Sequence, residues 1–147
     1  MPATIRPVTP ADRQGWDPLY AGYAAFYGVD QTDAMRDRVW GWLMDPAHPV
    51  TGFVADDAGA LTGLAHVRPF ARPLSATTGG FLDDLFVTPA ARGTGTAEAL
   101  IAAVRDHGAA QGWSVIRWIT ADDNARARAL YDRLARQTRW VTYDIPL

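Results

Sequence analysis

The apolar residues of the chain change period several times, and each change marks an element. Thr4 to Val8 predicts a short strand, closed by Thr9 and Pro10. From about Asp12 to Tyr27, the residues Trp16, Leu19, Tyr20, Tyr23, Phe26 and Tyr27 recur at helical spacing, which predicts an amphipathic helix. Asp12 can cap it, Pro18 lies near its start or at a break, and Gly28 stops it. A second helix from about Asp33 to Met44 carries Met35, Val39, Trp42 and Leu43 on one side and ends at Asp45-Pro46. Thr51 to Ala55 and Ala60 to Val67 read as a hairpin around Asp56-Asp57-Ala58-Gly59, and Arg68 to Thr78 reads as a proline-broken loop. Phe81, Leu82, Leu85, Phe86 and Val87 form a short apolar run interrupted only by Asp83 and Asp84, a strand that Pro89 ends. From Thr96 the helical period returns through Ala97, Leu100, Ile101, Val104 and Gln111, with Gly112 as the C-terminal cap. Trp113 to Thr120 is a further strand, Asp122-Asp123-Asn124 offers caps for a helix through Leu134, and Trp140 to Ile145 alternates as the last strand.

Strand, helix and strand in succession after Gly80 imply parallel pairing through a right-handed crossover, whereas the earlier hairpin is antiparallel. A chain of 147 residues is expected to form one domain, 1–147, able to bury a core unaided. With no cysteine, a disulfide, a thiolate metal site and a cysteine nucleophile are excluded. Net charge is −2, so no nucleic-acid partner is expected. All 14 basic residues are arginine. No apolar run approaches membrane-spanning length and the first residues carry no signal core; the expectation is a cytoplasmic protein with no membrane contact.

Between the central strand and its helix lie Arg92, Gly93, Thr94 and Gly95, followed by Thr96 and Ala97. A helix start presents unpaired N–H groups and partial positive charge, and glycines let an anion approach the backbone, so a phosphate site is expected here. It is not a P-loop, because no Gly-Lys-Ser/Thr follows and the chain has no lysine. It is a poor dinucleotide fingerprint, since Glu98 stands where the third small residue belongs. The segment resembles the phosphate-binding motif of the GNAT family of acetyl-CoA-dependent N-acetyltransferases, Arg/Gln-x-x-Gly-x-Gly/Ala, with Arg92, Gly95 and Ala97 at its fixed positions. Leu82-Asp83-Asp84-Leu85-Phe86-Val87 resembles the preceding strand in the diamine and polyamine branch, and Asn124 and Tyr131 follow at the family's separation. The likeness covers residues 80–131 well and the rest loosely; the Gly-Phe that commonly follows the last helix is absent.

The resemblance implies an α/β (α+β) fold, a mixed, mostly antiparallel sheet of about six strands flanked by about four helices. It also implies transfer of acetyl from acetyl-CoA, a co-substrate needing no metal, to a primary amine of a small molecule by direct attack in a ternary complex. Arg92 to Ala97 would hold the diphosphate, backbone amides of Leu85, Phe86 and Val87 the pantetheine arm and carbonyl, and Asn124 the pantetheine amides unless it only caps its helix. Tyr131 would protonate the leaving thiolate; on its position alone it reads as a core residue, and its spacing from Asn124 supports the catalytic role. An alkyl amine, with a pKa of about 10.4, is mostly protonated at neutral pH, so a proton acceptor is needed. Adjacent strand residues face opposite ways, so one of Asp83 and Asp84 faces a given cleft, and the resemblance selects Asp83. Tyr23, Tyr27 and Asp30 are candidates for the acceptor pocket, although the aromatic stripe also suits a core. His66, Arg68 and Arg72 are candidates beside them, the arginines for an acceptor carboxylate, against an ordinary exposed loop with a packed histidine. The last strand is a pairing edge for a homodimer. Rival readings are a protein N-terminal or lysine acetyltransferase, a non-catalytic acyl-CoA-binding regulatory module, and a nucleotide-binding domain.

Overall fold

The computed structural model describes residues 3–147. Five strands form one sheet in chain order: β1 (Thr4–Pro7), β2 (Thr51–Asp57), β3 (Ala60–Arg72), β4 (Thr77–Val87) and β5 (Ile116–Arg117). The first four pair antiparallel and β5 joins β4 in parallel, as a crossover through a helix requires. Four helices accompany the sheet: α1 (Arg13–Phe26), α2 (Asp33–Met44), α3 (Thr96–Ala110) and α4 (Ala125–Leu134). The mixed, mostly antiparallel α+β architecture matches expectation, with five strands for the expected six.

Strand alternation divides the core. Leu64 of β3 packs with Trp16 and Leu19 of α1 on one face. Its neighbours Ala65 and Val67 join Phe53, Leu82, Val87, Leu100, Ile101 and Val104 beneath α3 on the other. Small residues set how closely α1 approaches: a methyl on Gly15 would meet the Leu61 side chain at 2.9 Å, and one on Gly22 would meet Phe86 at 3.3 Å. α1 begins at Arg13 after a 3-10 turn over Pro10–Asp12 and holds Pro18 within its length.

Three elements differ from the sequence pattern. The segment expected as a loop is mostly strand: β3 runs on to Arg72, pairs with Thr77, and turns through a 3-10 step over Pro73–Ser75 with Ala76 at φ 54°. Pro69 is tolerated because β2 stops pairing at Val67, so this stretch of β3 is an edge. β5 pairs at only two positions, Gly80 with Ile116 and Phe81 with Arg117, although its apolar run is longer. The expected last strand, Trp140 to Ile145, forms no strand, and Trp140 and Tyr143 are 87% and 89% exposed. A strand exists only where a ladder partner lies beside it, and among the described residues none pairs with this segment.

Candidate active site

A cavity of about 590 Å³ lies where the turn before α3, the second half of β4, the end of α1 and α4 converge. At its α3 end, Gly93 and Gly95 adopt φ of 78° and 85°, the left-handed region that glycine enters without cost. Gly95 is the N-cap of α3 and offers no side chain, so the first amides of the helix have no partner of their own; Thr96, Ala97 and Glu98 line the cavity there. Arg92, Arg126 and Arg133 line the same end. Arg133 pairs with Glu98 at 3.6 Å, and the Arg92 guanidinium lies over the Phe26 ring at 5.6 Å. Helix amides and arginines together give this end the donors and positive charge that an anion would need.

Along the cavity, Leu85, Phe86 and Val87 present the edge of β4. The β4–β5 ladder ends at Phe81 and Arg117, so that edge has no neighbouring strand and its polar groups are free to pair with an extended ligand. Tyr131 stands across from it on α4, its ring edge-on to Trp118 at 5.4 Å. Burial, and to a lesser degree Tyr27, push its phenol up, so it stays protonated at neutral pH. Asn124 precedes α4 without capping it by side chain. Its amide nitrogen instead donates to Thr120 Oγ1 at 3.3 Å, and the residue lines the cavity. Tyr23 and Tyr27 line the opposite wall.

Past that wall the pairing of β3 and β4 slips by one residue. His66 partners Asp84 and Val67 partners Leu82, which leaves Asp83 without an opposite number, a β-bulge. The expected alternation of the two aspartates therefore breaks at this point. Asp83 reaches outward and accepts from Arg68 Nε at 2.8 Å; burial pushes its carboxyl up while Arg68 pulls against it. Asp84 Oδ2 lies 2.9 Å from the Tyr20 hydroxyl and 2.8 Å from His66 Nδ1. His66 is only 2% exposed and also meets Trp16 Nε1 at 3.1 Å.

Twelve of the sequence-predicted residues thus share one cavity: Tyr23, Tyr27, Leu85, Phe86, Val87, Arg92, Gly93, Gly95, Thr96, Ala97, Asn124 and Tyr131. Thr94 turns aside, donating to the Ala91 carbonyl and lining a smaller hollow with Thr62 and Thr88. Asp83, His66 and Arg68 gather at the bulge, Arg72 donates to Ser114 Oγ at 2.7 Å, and Asp30 is exposed outside the cavity. Sequence reasoning missed Arg126 and Arg133, seven residues apart on α4 and so on one face, a spacing that was readable. It also missed Tyr20, the partner of Asp84, and Trp16, the partner of His66, which belong to the helical stripe but were given no role.

The sequence profile of the Acetyltransferase (GNAT) family matches residues 16–135. The D-amino-acid N-acetyltransferase HPA3 of Saccharomyces cerevisiae is 26% identical over 141 residues, covering 95% of this chain and 88% of that protein. A ribosomal-protein-alanine N-acetyltransferase from Brucella melitensis superposes with a TM-score of 0.81 at 23% identity, covering 99% of each chain. The aminoglycoside acetyltransferase AAC(6')-Iy, solved with a CoA-linked bisubstrate analogue, superposes at 0.83 with 22% identity, over 98% of this chain and 97% of its own. With a profile match across most of its length and the fold shared end to end, the chain belongs to the GNAT acetyltransferase family.

Proposed function

We propose that this protein transfers the acetyl group of acetyl-CoA to the primary amine of a small molecule, with free amino acids the favoured acceptors. The observation that carries the reading is the continuity of one cavity, from the glycine turn and arginines at the start of α3, past the unpaired edge of β4, to the Tyr131 hydroxyl on α4. These residues fit acetyl-CoA. Amides 96–98 with Arg92, Arg126 and Arg133 would take its phosphates, the β4 edge its pantetheine arm, and Asn124 an amide of that arm. The co-substrate supplies an acetyl thioester. The Leu85 and Val87 amides, on the unpaired edge of β4, would be the donors fixed in advance for the carbonyl oxygen as it gains charge, while the Phe86 amide faces β3. Tyr131 holds a proton for the sulfur, and a carboxylate at the bulge receives the proton of the amine.

Arg68 supports an amino-acid acceptor. Only its Nε is committed to Asp83, and its terminal nitrogens are available to a substrate carboxylate beside the acidic pair. HPA3, similar over nearly the whole chain, is named for acetylating D-amino acids. A homodimer through the exposed segment around Trp140 completes the reading.

Release of CoA, followed with amino acids of both hands and with diamines, tests it. Turnover with at least one amine is expected, and Tyr131→Phe should lower kcat by about 10²-fold or more while acetyl-CoA affinity stays within about threefold. Acetyl-CoA binding without turnover on any amine would favour a non-catalytic acyl-CoA-binding module instead.

A further inference from the structure

The mechanism outlined above leaves unused the most buried polar group at the acceptor end. His66 lies between Trp16, 1% exposed, and Asp84, whose side chain keeps 18% of its surface exposed. An indole N–H can only donate, so His66 Nε2 must be the acceptor of the 3.1 Å contact with Trp16. The imidazole proton is then on Nδ1, and it is donated to Asp84 Oδ2 at 2.8 Å. Tyr20 donates its hydroxyl to the same oxygen at 2.9 Å. Both donors land on Oδ2, and the Tyr23 hydroxyl reaches the same carboxylate. A second proton on His66 would set two donors against each other at Trp16, so the arrangement suits a neutral imidazole and an ionised carboxylate.

Resting on the acetyltransferase reading, we propose that Asp84 is the carboxylate that receives the acceptor's ammonium and takes its proton, and that His66, locked as the Nδ1–H tautomer by Trp16, positions Asp84 and is not itself the base. The groups around Asp84 are Tyr20 and Tyr23 from α1, His66 and Arg68 from β3, and Asp83 from β4. Burial and the charge of Asp84 push both tyrosine phenols up, which keeps them donors. Asp83 is already engaged by the cation Arg68, whereas Asp84 is met by neutral donors and lies directly before the β4 edge that lines the cavity. The ammonium gives one proton to Asp84. The freed lone pair forms the C–N bond as the C–S bond breaks, and sulfur leaves with the Tyr131 proton. Tyr131 is restored by the second proton lost from nitrogen, and Asp84 passes its proton to water.

The test compares Asp84→Asn and Asp83→Asn with the wild type on two pairs of amines, alanine with trifluoroalanine and ethylamine with trifluoroethylamine. Fluorination leaves the second member of each pair largely neutral at neutral pH, so it carries no ammonium proton for Asp84 to take before attack. Asp84→Asn is expected to cut kcat/KM for the basic amine by about 10²-fold or more but for its fluorinated partner by less than about fivefold, with acetyl-CoA affinity unchanged. Asp83→Asn should show no such difference. Equal losses on both members of a pair, or a selective loss with Asp83→Asn, would overturn the assignment of Asp84. Nitrogen NMR of His66 in the wild-type protein needs no variant to fold: a proton on Nδ1 with bare Nε2 is expected, and the reverse tautomer or an imidazolium overturns the lock. Wild-type protein that binds acetyl-CoA yet acetylates no amine overturns the acetyltransferase reading and this proposal together, whereas turnover with equal losses overturns the proposal alone.

Discussion

Arg6 stands between two carboxylates, with both Nη atoms at 2.8 Å from Asp12 and further contacts at 3.2 Å to Asp56. Asp12 is 7% exposed and also accepts from the Thr9 amide and hydroxyl. The guanidinium is the main cause, with the Thr9 bonds adding to it, of a carboxyl pKa lowered from 3.8 to about 2 against the cost of burial. A carboxylate depressed by folding stabilises the native state above its unfolded pKa, and that contribution disappears as pH falls through the folded value. Stability owed to Asp12 is therefore intact above pH 3.8 and fades toward about 2. Asp12→Asn should cost about 1–2 kcal/mol at neutral pH, less than a fully buried pair would lose, because Arg6 is part-exposed and retains Asp56. It should also flatten the acid side of the stability curve. Urea titrations at neutral pH and near pH 3 measure both effects; a variant whose loss is the same at the two pH values would show that the clamp does not act through charge.

At the level of elements, the β4–turn–α3 unit was legible because its signals are local: an apolar run, a proline, glycines, then a change of period. The bulge at Asp83 was not, because a bulge is defined by what the neighbouring strand pairs with, and nothing near Asp83 in sequence encodes His66. That one-residue slip undoes the simple alternation used to choose between the aspartates. The short β5 was illegible for a related reason. Its apolar residues Trp113 and Ile116 are spent on packing: a methyl on Gly80 or on Gly108 would fall within 3.0 Å of both. Glycine at 80 thus lets α3, β4 and β5 meet, at the first rung of the two-rung ladder and beside the Gly80 amide's bond to the Val115 carbonyl at 2.8 Å. Gly80→Ala should destabilise the fold by about 1–3 kcal/mol, an overpacking cost, read as a lower denaturant midpoint. Alanine at Gly41, where a methyl meets nothing within 4 Å, is the control and should not lower it.

For the molecule as a whole, the residues after α4 pose a problem that a single copy does not solve. Residues 135–147 have no secondary structure, and Trp140, Val141, Tyr143, Ile145 and Leu147 are all exposed. Single exposed apolar residues are ordinary, but a run of five large ones is the kind of strip that marks an interface. Positions 141, 143, 145 and 147 share one side of an extended chain, which is the pattern of a strand awaiting a ladder. Among the described residues the sheet ends at β5, whose outer edge has no strand, and Ile119 just beyond it is 64% exposed. An open edge and an unpaired segment on the same chain would complement each other across a two-fold axis, each copy lending its segment to the other. The full chain is therefore expected to sediment at the dimer mass at micromolar concentration, with Trp140 shielded from a soluble fluorescence quencher. Removing residues 138–147 should return the monomer mass with α-helical circular dichroism retained, since none of the four helices lies in that segment. Pairing through the backbone also predicts that Thr142→Pro, which removes an N–H at the middle of the new ladder, weakens the dimer, whereas Thr142→Val does not. A full chain that sediments as a monomer at these concentrations would mean that the strip is covered in some other way.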